Sequence, residues 1–341
     1  MQELASLARS ESGMDRELGI PHTTAQWILG HRSELRTVGR MIQDVRPREV
    51  FFALLAATAA LVFLTAPVAA TAFGTSVELT TPGPMAVTPS GALYVASGRE
   101  LFRLSGRRFV PVARVARVIR SATAASDGSI FVGEVGLLQR VMPDGSVGTV
   151  AHMNVSGLGR GPHGAIYVVT NASVSRVMGR HVVAVVRASQ FAGLSHVPTE
   201  VKFFDFANVA VDGSGYTYVT AMGVGFSLFE VTPGGLARYV GPARSGGGAP
   251  SALTAWSHGR VYFGVQNAIL WAKSGRVGGF QTFSSGAVKG FNGAFAPSYL
   301  AASATPGGPL YADAVGNGFS NDTGIIAIYP DHRLVTLWAH K

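Results

Sequence analysis

The side chains able to do chemistry are sparse and mostly separated. Arg114, Arg117 and Arg120 stand in the run RVARVIR and form the densest basic cluster. As ligand-binding residues they would suit an anion, but steps of three along a strand alternate between its faces, so the three do not share one. The competing reading is solvation at a strand edge. Phe191, Phe203, Phe204 and Phe206 crowd a second segment. They are expected either to expose an aromatic recognition patch or to cover one end of the fold. None of the nine His forms a pair at metal-ligand spacing; His152, His163, His196 and His258 fall between strand-like runs. The absence of Cys excludes disulfides, thiolate metal sites and thiol nucleophiles. No Gly-x-Ser-x-Gly elbow occurs, and the Gly-rich run Ser245–Gly248 lacks the Lys and helix of a phosphate loop.

The remaining acids read mainly as structural. Asp127, Asp144 and Asp212 each directly precede a Gly, as turn-forming Asp does. Glu134 and Asp313 are expected in the turn after a strand, held there by a backbone contact.

Location rests on one segment. From Val50 to Phe73 no residue is charged, and 24 residues of helix reach about 36 Å against a hydrocarbon core of about 30 Å. Arg40, Arg46 and Arg48 precede it closely, whereas the next basic residue is Arg99. The positive-inside rule then puts the N-terminus in the cytoplasm and the remainder outside. Ala70-Thr71-Ala72 has the small-x-small form of a signal-peptidase site, so the segment is either an uncleaved anchor or a signal peptide cut after Ala72. Residues 1–49 are a short cytoplasmic tail, or partly a product of start-site assignment, since Met41 would also begin a conventional signal peptide. Those 49 residues hold seven Arg and seven acidic residues, so the net charge of +9 lies beyond the apolar segment. Its lone, scattered Arg residues suit a plain basic surface, and no nucleic-acid partner is expected.

Beyond residue 80 one unit recurs: a strand of small residues, a Gly turn, a strand carrying Tyr or Phe, then two more strands. Copies run 84–115, 121–151, 158–186, 208–240, 252–283 and 293–338, anchored on Gly91, Gly128, Gly164, Gly215, Gly259 and Gly308. Repeats of about 40–50 residues with four strands each are blades of a propeller. The predicted fold is all-β: a β-propeller of about six four-stranded blades over residues 80–341, preceded by one N-terminal hydrophobic helix.

Ser90-Gly91-Ala92-Leu93-Tyr94-Val95-Ala96, Asp127-Gly128-Ser129-Ile130-Phe131-Val132 and Arg140-Val141-Met142-Pro143-Asp144-Gly145 resemble the repeat of the NHL and SMP-30/gluconolactonase-like propellers. That resemblance implies a site at the mouth of the central channel, where lactonases of the group bind a divalent cation through carboxylate and amide oxygens. Glu200, Asp205, Asn208 and Asn292 are the residues here that could supply a metal site, for a cation such as calcium. His196 with Glu200 is the nearest analogue of the channel pair used by streptogramin lyases, although the Trp-Phe-Thr-Glu-like strand ending of those enzymes is missing. Since the inner strands are nearly bare of acids, the function expected first is a binding or scaffold domain for a protein, peptide or glycan of the cell envelope. A metal-dependent hydrolase or lactonase is the alternative.

Overall fold

The computed structural model describes residues 79, 81–179, 181–191, 194, 205–223, 225–242, 253–256, 259–265, 267–274, 276–284, 288, 295–305, 307–316 and 323–340. The chain divides into two units, Met1–Ala69 and Ala70–Lys341, and all the described residues belong to the second. The expected tail at 1–49 and apolar segment at 50–73 therefore lie outside the described residues. No helix among the described residues is long and apolar enough to cross a membrane.

Six antiparallel sheets follow one another along the chain. Blade 1 comprises β1 (Met85–Val87), β2 (Leu93–Ser97), β3 (Glu100–Ser105) and β4 (Arg108–Arg114). Blade 2 has β5 (Ser121–Ala124), β6 (Ile130–Glu134), β7 (Leu137–Val141) and β8 (Val147–Ala151). Blade 3 has β9 (Gly157–Arg160), β10 (Ile166–Thr170), β11 (Ser173–Met178) and β12 (His181–Arg187). Blade 4 has β13 (Asp205–Val211), β14 (Thr217–Gly223), β15 (Gly225–Val231) and β16 (Ala237–Pro242). Blade 5 has β17 (Leu253–Trp256), β18 (Arg260–Val265), β19 (Ala268–Lys273) and β20 (Arg276–Thr282). Blade 6 has β21 (Phe295–Ala296), β22 (Leu300–Ala302), β23 (Leu310–Gly316), β24 (Thr323–Ile328) and β25 (Leu334–His340). The inner strands touch in the order β1, β5, β9, β13, β17, β22 and back to β1, which closes a six-bladed ring.

The anchoring glycines explain why the strands turn where they do. Gly91, Gly128 and Gly215 all sit at φ +84°, a left-handed conformation that side chains resist, between the first and second strands of their blades. Blade 6 departs from the expected anchor. Its turn spans Ser303 to Pro309 rather than the five residues of Thr88 to Ala92. The positive φ consequently falls on Gly307 instead of Gly308.

Six apolar clusters fill the junctions, one between each pair of neighbouring blades. Alternation supplies them, because successive residues of each strand point to opposite faces, and both faces of every blade meet a neighbour. The junction of blades 3 and 4 is unusually close. A Cβ on Gly157 would lie 2.3 Å from Ala207 O, and one on Gly159 would lie 2.3 Å from Val209 O. Gly159→Ala is therefore expected to force these backbones apart at a cost of about 1–3 kcal/mol. Gly148→Ala, in a strand where an added Cβ meets nothing within 4 Å, should be close to neutral. Urea denaturation of the two variants checks the contrast.

Candidate functional site

The inner strand of each blade is the edge of its sheet. One row of backbone N–H and C=O groups in each inner strand therefore has no strand partner and faces the axis, where water must satisfy it. The channel so formed has a volume of about 890 Å³ and draws lining residues from all six blades. Strand register sorts its wall into levels. Val87, Ala124, Arg160, Val211, Ala255 and Ala302 are equivalent, each paired with the residue two after the turn-glycine position. Two residues earlier in each strand stand Met85, Ala122, Leu158, Val209, Leu253 and Leu300, an entirely apolar level. The mouth lies at the turns after the inner strands, where Ser126, His163 and Thr305 line the cavity and are exposed.

Arg160 breaks its level. Five of the six equivalent positions are Val or Ala, and their side chains pack into the junction with the preceding blade. Gly157 and Gly159 face blade 4, while Leu158 packs against blade 2. Alternation therefore sends Arg160 toward blade 2 as well. Burial lowers its pKa from the usual guanidinium value, because the charged form loses hydration there. Among the described residues it has no hydrogen-bond or ion-pair partner. The carboxylate of Asp127, beside Ser126 in the facing turn, is committed to the Ser129 backbone and hydroxyl and to Arg140. Arg160 and His163 are the titratable residues of the described channel lining, which contains no acid. Sequence reasoning passed over Arg160, although a lone Arg four residues before a turn glycine, where other copies have Val87, Ala124, Val211 and Ala255, was a readable signal.

Those candidate residues that are described lie apart from the channel lining. Arg114 ends β4 and reaches Glu100 at 3.3 Å on the surface. Arg117 and Arg120 lie in the link between blades 1 and 2 and are exposed. Their backbone N–H groups donate to Glu134 Oε2 at 2.7 Å and to Gly133 O at 2.8 Å. Phe191 and Phe206 form no exposed patch: both are buried between blades 3 and 4, with Phe191 edge-on to Phe206 and Phe229. Phe203, Phe204, Glu200 and Asn292 lie outside the described residues, as does the side chain of Asp205, which begins β13. Asn208 is half-buried in β13, and its N–H donates to Thr220 Oγ1 at 3.1 Å. The region His196–Glu200 and the loop 245–251 also lie outside the described residues. Among the described residues no three His, Asp or Glu side chains are placed to hold a metal ion together. The described part of the lining holds no acid and does not by itself make the oxygen-rich cradle of a calcium-type cation.

The acids that read as turn formers divide into two kinds. Asp127, Asp144 and Asp212 accept backbone N–H groups two residues on, capping their own turns. Glu134 is instead the last residue of β6 and Asp313 stands within β23, and both are fully buried. Asp313 Oδ1 accepts the N–H groups of Ser298 and Tyr299, both at 2.6 Å, in the link between β21 and β22. Each carboxylate thus fastens the segment that delivers the inner strand of its own blade. Among the described residues Glu134 Oε1 and Asp313 Oδ2 find no hydrogen-bond partner. Burial raises both pKa values, that of Glu134 against the opposing Arg117 N–H and the Arg117 and Arg99 charges, and that of Asp313 to about 7. Between blades 4 and 5 the buried Glu230 pairs with Arg238. The Tyr218 hydroxyl there accepts the Ser274 N–H at 3.1 Å, tying one blade to the next.

Fold and channel together define the class: a six-bladed β-propeller of four-stranded blades, the sixth with its inner strand divided into β21 and β22. The sequence matches no protein-family model and no curated protein. Solved structures do resemble it. A streptogramin B lyase matches with a TM-score of 0.55 at 12% identity, covering 79% of this chain and 86% of that one. The PQQ-bound aldose sugar dehydrogenase of Streptomyces coelicolor matches at 0.51 and 14% identity, over 74% and 96%. A gluconolactonase of Xanthomonas campestris matches at 0.50 and 14% identity, over 70% and 84%. At such identities the likeness is one of architecture, which carries unrelated activities.

Proposed function

We propose that this chain is a binding propeller displayed outside the cytoplasm, anchored by residues 50–73 or released after Ala72, and that it recognises a ligand or partner of the cell envelope. The observation that carries this reading is the described channel lining: apolar and hydroxyl side chains, one arginine, one histidine and no carboxylate. A metal-dependent hydrolase or lactonase would need acids or amides around a cation there, and Glu200, Asp205, Asn208 and Asn292 are the residues proposed to supply them, of which the side chain of Asn208 belongs to the described residues. The flanking arginines before residue 50 support the orientation.

Metal analysis of the full-length chain purified in detergent tests this reading. No stoichiometric divalent cation is expected, and Asp205→Ala and Asn208→Ala should leave the metal content unchanged. One bound metal per chain, lost in either variant, would establish the hydrolase reading instead. Protease accessibility of a C-terminally tagged chain in intact spheroplasts tests the orientation; protection of the tag would overturn it.

A further inference from the structure

We propose that Arg160 makes the central channel a recognition site for a small organic monocarboxylate carried on an apolar body. Three observations converge on that ligand. At its level of the ring the other five blades carry Val87, Ala124, Val211, Ala255 and Ala302, so the described lining there offers one guanidinium and no carboxylate, with Thr123 and Thr254 as the polar side chains one residue deeper. Two residues deeper, roughly 6–7 Å along a strand, Met85, Ala122, Leu158, Val209, Leu253 and Leu300 make a level with no polar side chain. The cavity of about 890 Å³ is of the size that encloses small organic ligands.

Charge decides between the anions. A guanidinium binds both carboxylate and phosphate through two parallel N–H donors. A single cation balances a carboxylate, whereas a phosphate monoester carries close to two negative charges at neutral pH. The described channel lining provides no second Arg and no Lys. A partly buried guanidinium without a carboxylate partner among the described residues retains an unmet demand for one. An entering carboxylate meets that demand, while its apolar portion covers the deeper level.

This inference rests on the channel being a binding surface, and its test is separate from metal analysis. Calorimetric titrations of the full-length chain in detergent, with detergent-only blanks, would use 4-phenylbutyrate, its neutral amide 4-phenylbutyramide, and phenyl phosphate. Phenylbutyrate is expected to bind once per chain, at least tenfold more tightly than the amide or the phosphate. Arg160→Met should weaken phenylbutyrate binding about 10- to 100-fold, the range of a charge-assisted hydrogen-bonded pair, and leave amide binding unchanged. Arg160→Lys, which keeps the charge and loses the fork, should fall between. Unaltered thermal unfolding of both variants would exclude misfolding as the cause. The proposal is overturned if phenylbutyrate fails to bind, if Arg160→Met leaves its affinity unchanged, or if phenyl phosphate is preferred. A stoichiometric metal together with Arg160-dependent phenylbutyrate binding would remove the non-enzymatic reading and leave this one standing.

Discussion

Asp313→Asn is expected to flatten the pH dependence of stability between pH 4 and 8 and to stabilise the protein at pH 8. The Asp313 carboxyl is fully buried, and burial raises its pKa from 3.8 to about 7 against two backbone N–H donors. Between those values the unfolded chain releases a proton that the native state retains, so stability falls as pH rises through the window. Below it the group is neutral in both states and contributes nothing. Above pH 7 the native state bears the full cost of a buried carboxylate, an upper figure of about 4 kcal/mol. Asn is isosteric and keeps an oxygen for the Ser298 and Tyr299 N–H groups. Its amide, like the protonated acid, leaves one polar atom unmatched. The variant should therefore match the wild type near pH 4 and exceed it by up to about 4 kcal/mol above pH 7. Thermal unfolding of both chains at pH 4, 6 and 8 reads this difference, and parallel curves would show that Asp313 is not the titrating group. Asp313→Ala should instead destabilise at every pH, because the link between β21 and β22 loses its acceptor.

The contrast between Asp313 and Gly91 shows what the sequence could reveal. Turn glycines at φ +84° are dictated locally, since few other residues adopt that backbone, and their spacing marks the blades. The junction clusters were legible for a similar reason: alternation along each strand determines which residues face a neighbour. Asp313 and Glu134 read as turn residues because their partners, the N–H groups of Ser298, Tyr299 and Arg117, lie 15, 14 and 17 positions away. Only the fold brings those groups together. Likewise Phe191 and Phe206 could not be assigned to an interior from composition, since a cluster of aromatics serves a surface or a core equally well. Arg160 was a different matter. Its equivalence to Val87 and Ala124 is present in the repeat, but such a residue stands out by contrast with its counterparts, whereas a repeat is recognised by what its copies share.

The ring closes by packing, which makes Phe109→Ala the most damaging of the apolar truncations. Each described sheet is built from consecutive strands, so blade 1 and blade 6 meet with no strand exchanged between them. Their junction contains Phe102 and Phe109 from blade 1, Ala301 and Ile325 from blade 6, and Leu79 ahead of the first strand. Trp338 on β25 meets Phe109 edge-on, with ring centroids 5.7 Å apart. Phe109 is 1% exposed, and its loss should cost about 3–5 kcal/mol, a large share of the roughly 5–15 kcal/mol that holds a domain folded. The same truncation within a junction of sequentially adjacent blades, Phe131→Ala between blades 2 and 3, removes comparable surface while the chain still links the two blades. The location of the damage therefore separates the variants more sharply than its size. Amide exchange in Phe109→Ala should accelerate first in β1, β2, β24 and β25, on either side of the opened junction. In Phe131→Ala it should accelerate in β6 and β10. If Phe109→Ala loosened all six blades equally, closure would be a property of the whole ring rather than of this junction.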